Sequence, residues 1–486
     1  MNTHELIEFI SPLNTSRYKP EGDIGALVQD SRQITEGSVF IAIRGTEVDG
    51  HMFLEDAIHR GAKILICEEA FYTDAEVCVI EVEDTRALIG PLAQKMAGNP
   101  AKELKVIGIT GTNGKTTTAT LVYQTLTELG QKASLLGTVE KRILDKVVDS
   151  KLTTSDPIEL AADMKAMVEA GSEYLVMEVS SHALHQARVA GIDFSVAAFT
   201  NLSQDHLDYH ETIEEYSSAK KILFDGLTSE SVAIVNMDDS HGSFIASDTK
   251  AQLVELSFSN DAEIIDNSPS GLKISINNTE ITSSLVGKFN AYNIAEAFLI
   301  CTELGFNDKD VSSTLSTVKG APGRMEAVIM DEFENLPKVI VDYAHTPDAL
   351  ENVLQTLAEM KTKEQFIYCV FGAGGDRDSS KRPKMAEAAS KFADTIIVTS
   401  DNPRTENPDL IIADILQGFD NTENVITITS RKEAIFKSIE LASANDIILI
   451  AGKGHEDYQE VNGERHSFDD RVIAKEALQL KAQGGF

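Results

Sequence analysis

Positive charge is scarce in this chain of 486 residues. Lys and Arg number 43 against 77 Asp and Glu, a formal net charge of −34 at pH 7. So acidic a surface repels nucleic acid and anionic lipid at long range, so no nucleic-acid partner is expected. A local positive pocket for a phosphate remains compatible with it. Cysteine is rare too: four, at 67, 78, 301 and 369, with no Cys-x-x-Cys pair. That argues against a disulfide framework and a zinc site, and buried free thiols in a reducing compartment are expected. No apolar run reaches about 18 residues, so neither a transmembrane helix nor membrane insertion is expected. The opening MNTHELIEFI is acidic where a secretory signal would be basic, and a cytoplasmic protein is expected. Repeats and low-complexity tracts are absent. What is present is an ordinary hydrophobic fraction, 42%, enough to fill the cores of roughly three domains of about 150 residues each.

Apolar runs alternate with helical patterns along the chain. SVFIAIRG and AKILICEE read as strands, with the helical HMFLEDAIHRG between them; AGNPAKEL at 97–104 is a break around Asn99-Pro100. KVIGITG then opens a second series of strands and helices, which turns hairpin-like at GLKISINNTEITSSL. KVIVDYAH, FIYCVFG, TIIVTSD, NVITIT and DIILIAG form a third series. Such alternation predicts α/β architecture with parallel sheets. Three domains are expected: a small α/β domain over 1–100, a central phosphate-loop domain with a mainly parallel sheet over 101–330, and a Rossmann-like open α/β sheet over 331–486.

Polar clusters follow the apolar strands one after another, where open α/β sheets bind ligands. GITGTNGKTTTATLV, residues 108–122, runs strand, glycine turn, lysine, helix. Gly111 and Gly114 let backbone N–H groups curl around an anion. Lys115 places charge on outer phosphates, and Thr116 can ligate magnesium. The loop is shorter than a Walker loop, because Ile109 stands where the first Gly of G-x-x-x-x-G-K-[ST] belongs. Glu178 ends the strand YLVMEV and can face this loop with a cation between, although a strand-end Glu is commonly just solvated. His206, with Asp205 and Asp208 in QDHLDYH, follows another strand. Lys220 in YSSAKKILF reads as an ordinary helix-surface lysine.

Ten ordered motifs carry a resemblance: GITGTNGKTTT, MEVSSHAL, TNLSQDHLDYH, AKKILF, GKFNAYNIAEA, GAPGRME, VDYAHTPDALE, GAGGDRD, DNPRTENP and AGKGHEDYQ. Together they resemble the Mur ligase family over essentially the whole chain, and most closely its members that add the third residue of the peptidoglycan stem peptide. The resemblance implies an ATP-dependent amide ligase with two magnesium ions. Its acceptor would be UDP-N-acetylmuramoyl-L-Ala-D-Glu, phosphorylated to an acyl phosphate that an amine attacks. It implies that Gly111, Thr112, Asn113, Gly114, Lys115, Thr116 and Thr117 hold phosphates. Asn290 and Asn293 would lie on the adenine side, with Arg324, Asp342 and His345 closing on ATP. Thr116, Glu178, His206 and Lys220 would serve the metals, Lys220 as a carbamate formed with CO₂. Thr153, Thr154, Ser180, Gln186 and Arg188 would meet the muramyl dipeptide, and Ser31, Thr46, Glu47 and Val48 the uridine end. LTTSDP departs from the commoner T-T-P form after Thr154.

The incoming amine is read from Asp401, Asn402, Pro403 and Arg404. Members that add meso-diaminopimelate carry D-N-P-R, and its Arg suits the distal carboxylate that lysine lacks. Arg377, Gly452 and Glu456 match the other amino-acid contacts, Glu456 suiting the distal ammonium. L-lysine is the alternative amine. A folylpolyglutamate synthase-like ligase is a second reading, opposed by D-N-P-R and by a first domain of nearly a hundred residues. A nucleotide-dependent regulatory protein is a third, opposed by the presence of Lys115, Glu178, His206 and Lys220. A monomer is expected.

Overall fold

The computed structural model describes every residue except 46–47, 149–151, 261, 269–270, 329, 331–332 and 334, and at 207–208 the backbone alone. The chain divides into two compact units. One comprises Met1–Ala119 with Leu126–Leu256, the other Thr120–Thr125 with Ser257–Phe486.

The first unit holds two sheets. The smaller has the strand order Asn14–Thr15, Cys78–Glu81, Ile64–Cys67, Val39–Ile41, Leu27–Val28, parallel except for the first pair. Its apolar strands are buried on both faces, as the unbroken run ILIC requires. The helix Thr85–Ala97 starts on the Asp84 side chain, which accepts from Ala87 N, and stops at Gly98 in the left-handed region, φ +96°. That stop is the break legible around Asn99-Pro100.

The larger sheet has eight strands in the order Gln252–Leu256, Val232–Asn236, Phe194–Phe199, Lys105–Thr110, Tyr174–Glu178, Ala133–Leu136, Lys141–Ile143, Lys146–Val148. The first six are parallel and the last two form an antiparallel edge. The strand Lys105–Thr110 is the point from which later strands add on both sides. Its carboxyl end therefore opens into a crevice rather than under a crossover. Ile109 pairs with Glu178 on one side and Ala198 on the other. Three polar strand ends are thus brought side by side.

The second unit begins with an antiparallel meander, Ala262–Ser268, Gly271–Ile276 and Thr279–Ser283, beside the helix Lys288–Glu303. A six-stranded sheet follows in the order Glu326–Val328, Lys338–Asp342, Ile447–Ala451, Ile367–Phe371, Thr395–Val398, Val425–Thr427, parallel but for the first pair. Both of its faces are covered: Ile340 points into one apolar core, Val339 and Val341 into the other. The strand Glu326–Val328, ahead of residue 331, belongs to this sheet. A hairpin, Tyr458–Val461 with Glu464–Ser467, stands apart from it. The α/β architecture expected from the alternation is what the chain adopts. No helix among the described residues is long and apolar enough to cross a membrane.

Candidate active site

The loop after Lys105–Thr110 is held from the neighbouring strand end. Thr112 N donates to Asn201 O at 2.8 Å and Asn113 N to Asn201 Oδ1 at 3.0 Å, while Thr200 Oγ1 donates to Asn113 O at 2.6 Å. Gly111 has φ +147° and Gly114 φ +87°. Lys115 opens the helix Lys115–Glu128, and its Nζ folds back to donate to Gly111 O (3.0 Å) and Thr112 O (2.8 Å). Thr116 follows on the first turn and Thr117 is buried.

Glu178 is buried at the end of its strand and aimed at this loop. Its Oε2 accepts from Thr116 Oγ1 at 2.9 Å and Thr138 Oγ1 at 3.2 Å, and its Oε1 from Thr138 N at 2.7 Å. A carboxylate buried with this many donors is held in one orientation. Thr154 Oγ1 donates to Glu178 O (2.9 Å) and accepts from Ser180 N (3.1 Å). Thr153 Oγ1 lies 3.0 Å from Thr138 Oγ1. Arg188 donates to Thr154 O (3.0 Å) and Gln186 Oε1 (2.8 Å), and burial lowers its pKa from the ordinary arginine range. Ser180 caps the short helix Ser181–His185 by accepting from Ala183 N. Thr153, Thr154, Ser180, Gln186 and Arg188 thus form one hydrogen-bonded cluster with Glu178.

His206 is half-exposed, in the left-handed region at φ +53°, with its ring 4.8 Å from that of His182 and 6.0 Å from that of Tyr216. Lys220, on the helix Ile213–Asp225, is no surface lysine: its side chain is buried, its Nζ donates to Gly111 O at 2.7 Å and lies 4.3 Å from the Tyr216 ring centre. Burial first, then the charge of Lys115, holds its amine well below the ordinary lysine range. Tyr216 also reaches Thr112 Oγ1 at 3.1 Å. Among the described residues no three His, Cys, Asp or Glu side chains are grouped to hold a metal by themselves.

In the second unit Asn290 and Asn293 are buried one turn apart, Asn293 Nδ2 donating to Asn290 Oδ1 at 2.8 Å and Asn290 Nδ2 to Val286 O at 2.8 Å. Asp342 accepts from Met325 N and Ala344 N, both at 2.7 Å; burial raises its pKa, against the pull of Arg324. The Arg324 guanidinium lies 4.9 Å from the Tyr343 ring centre, with its Nε buried and without a protein partner. His345 Nδ1 is 2.9 Å from Tyr343 O, and burial lowers its pKa.

The 401–404 segment sits against the 458–467 hairpin. Arg404 N donates to Glu460 O, Asn462 N to Arg404 O, and Gln459 Nε2 to Asp401 O. Arg404 is left-handed, φ +50°, and its Nη1 donates to Gly375 O at 2.7 Å. Asp401, Asn402 and Pro403 are buried, whereas Arg377 is exposed. Gly452, φ +119°, passes so close to Asp401 that a Cβ there would lie 2.4 Å from its Oδ2. Glu456 accepts from Asn402 Nδ2 at 2.8 Å. In the first unit Ser31 is buried in the turn Ser31–Gln33 and Val48 is exposed; Thr46 and Glu47 lie outside the described residues.

Several residues in these networks were not singled out in the sequence. Thr138 and Asn201 follow strand ends, the signal that marked their neighbours. Tyr216 carried none, being a helix tyrosine.

The parallel sheet and the Gly-Lys-Thr loop at its switch strand define a phosphate-loop α/β protein. The chain belongs to the Mur ligase family: it matches the Mur ligase family catalytic domain over 23–96, the Mur ligase middle domain over 109–301, and the Mur ligase glutamate ligase domain over 323–454. It is 43% identical to the UDP-N-acetylmuramoyl-L-alanyl-D-glutamate–2,6-diaminopimelate ligase of Cytophaga hutchinsonii, covering 98% of this chain and 99% of that one. It is also 43% identical to the ligase of the same name from Parabacteroides distasonis, covering 93% and 94%. A solved structure of a ligase of that name superposes with a TM-score of 0.72 at 33% identity, covering 99% of both chains.

Proposed function

We propose that the chain joins meso-diaminopimelate to the D-Glu γ-carboxylate of UDP-N-acetylmuramoyl-L-Ala-D-Glu at the expense of ATP, in cytoplasmic peptidoglycan precursor synthesis. The observation that carries this is likeness along the whole chain to ligases named for that reaction, together with Arg404 in D-N-P-R.

A carboxylate does not react with an amine unaided, so the reaction needs a leaving group. The γ-carboxylate takes the γ-phosphoryl group, the amine attacks the acyl phosphate, and phosphate departs from the tetrahedral intermediate. Gly111 to Thr117 supply the anion cradle and Lys115 the charge beside it. Thr116 Oγ1 and Glu178 Oε2, 2.9 Å apart, are hard oxygens of the kind magnesium prefers and would hold it, and His206, beside Tyr216, would serve as a further ligand. Bound magnesium would offset repulsion between the two anions. The lowered Lys220 pKa supports the carbamate reading, since only a neutral amine adds CO₂. Thr153, Thr154, Ser180, Gln186 and Arg188 would orient the dipeptide, and Ser31 and Val48, with Thr46 and Glu47, would take its uridine end. Asn290 and Asn293 would support adenine, and the partnerless Arg324 Nε suits an anionic oxygen, with Asp342 and His345 beside it. Arg404 and Arg377 would hold carboxylates of the amino acid, Glu456 its distal ammonium, and Asp401, Asn402, Pro403 and Gly452 the walls between. Much of the catalysis is alignment and exclusion of water.

The test is amide formation from the UDP-muramyl dipeptide, Mg-ATP and either meso-diaminopimelate or L-lysine. A preference for diaminopimelate that Arg404→Ala lowers about 10- to 100-fold is expected from the loss of charged hydrogen bonds. Preference for lysine would keep the ligase and sink the role of Arg404.

A further inference from the structure

Lys453 is the fully buried ammonium of the second unit that no role above uses. It follows the strand Ile447–Ala451, inside the turn Gly452-Lys453-Gly454. Its Nζ donates to Glu456 Oε2 at 2.9 Å and to Asn402 Oδ1 at 3.2 Å, and stands 4.0 Å from Asp401 Oδ1. The Tyr458 ring closes one side, its centre 5.3 Å from Nζ.

Asn402 completes a triangle. Its Oδ1 also accepts from Glu460 N at 2.9 Å, and its Nδ2 donates to Glu456 Oε2 at 2.8 Å. Two donors on one side and a carboxylate on the other leave the Asn402 amide a single sensible orientation. Both bonds to Glu456 fall on Oε2. The carboxylate is thereby pinned by one oxygen, and Oε1 is the one left for an incoming cation. Burying a lysine is costly unless it is paired and hydrogen-bonded, and here the pairing links two segments about fifty residues apart in sequence. A purely structural lysine would be met as well by any carboxylate. This one is spent on a residue proposed to meet substrate.

We infer that Lys453 is a positioning residue: with Asn402 it fixes Glu456 so that Oε1 faces the ammonium at the distal end of the amino-acid substrate, and so sets the preference for a substrate bearing that ammonium. The inference rests on the ligase reading above and adds to it how the amine is selected.

The experiment compares meso-diaminopimelate with L-2-aminopimelate, in which hydrogen replaces the distal ammonium, using the full-length protein with Mg-ATP and the UDP-muramyl dipeptide. In Lys453→Met the KM for diaminopimelate should rise on the order of tenfold to a hundredfold, the loss expected for a charged hydrogen bond. Its kcat, the KM for ATP and the KM for aminopimelate should hold, so that the selectivity ratio collapses. Lys453→Arg should restore part of the ratio. Loss of activity on both amines in parallel, or an unchanged ratio, would overturn the inference. Should Lys453→Met not fold, Lys453→Met/Glu456→Gln removes the stranded charge with its partner. That double variant should match Glu456→Gln alone in selectivity, and a further drop beyond the single variant would count against the inference. Wild-type amide formation separates the two readings. Its absence would sink the ligase reading and this inference with it. An intact ratio in a Lys453→Met protein that still joins diaminopimelate would sink the inference alone.

Discussion

A Cβ on Gly111 would lie 1.9 Å from Thr200 Oγ1, at a φ of +147° that side chains rarely adopt. Gly111→Ala therefore strains the loop by about 1–3 kcal/mol or displaces Thr200, and nucleotide binding should be lost while the rest of the fold survives. Nucleotide titration with circular dichroism on the same sample checks both halves. Cysteine offers a test of the core at the same scale. All four thiols are buried and unpaired; burial pushes Cys67 to about 11 and Cys301 to about 12, and raises Cys78 and Cys369 as well. A thiol whose pKa is raised by folding keeps its proton where the unfolded chain loses it. Its stabilisation is complete below about pH 9 and is lost as pH rises through the folded value. Thiol reagents should then find almost no reactive cysteine in the native protein at pH 8 and all four in denaturant, and stability should fall above pH 9. Rapid labelling of the native protein would show the burial to be wrong.

The helices Arg431–Leu441 and Asp470–Ala482 are tied at their first residues. Arg431 donates to Asp470 through Nε at 2.8 Å and Nη2 at 2.7 Å, both side chains are fully buried, and Nη2 also reaches Ala451 O, the end of the strand that leads to Lys453. Asp470→Asn should cost about 3–5 kcal/mol, because it leaves a buried guanidinium uncompensated, whereas replacing both by apolar residues of similar volume should cost much less. Chemical denaturation of the single and double variants decides it; equal losses in both would show that the charge pair itself stabilises the junction. Such a tie is invisible in sequence, because its partners lie 39 positions apart and each is a charged residue at the head of its own helix's buried stripe, where a charge ordinarily reads as solvated. The strands were legible because burial on both faces demands unbroken apolar runs such as VIGIT and IILIA. The hairpins Lys141–Ile143 with Lys146–Val148 and Tyr458–Val461 with Glu464–Ser467 were not, since short half-exposed strands carry mixed polarity.

For the whole molecule, a net charge of −34 means self-repulsion that salt relieves. Raising ionic strength from 0.01 to 0.15 M shortens the Debye length from about 30 Å to about 8 Å, and the melting temperature should rise. Mg-ATP at a hundred times its Kd should add about 2.7 kcal/mol by mass action, and an unchanged melting temperature at that ratio would oppose a nucleotide site. The sequence by itself determined the α/β architecture, the phosphate loop and the order of the motifs, because apolar periodicity and glycine–lysine spacing are local properties of the chain. It also named Glu178 as a strand-end carboxylate able to face the loop. Only the tertiary structure decided that Thr138 braces it, that Lys220 is buried against Gly111 rather than solvated, and that Lys453 and Asn402 grip the same oxygen of Glu456. Burial and hydrogen-bond partners are set by which segments meet. No residue's own neighbours in sequence record that.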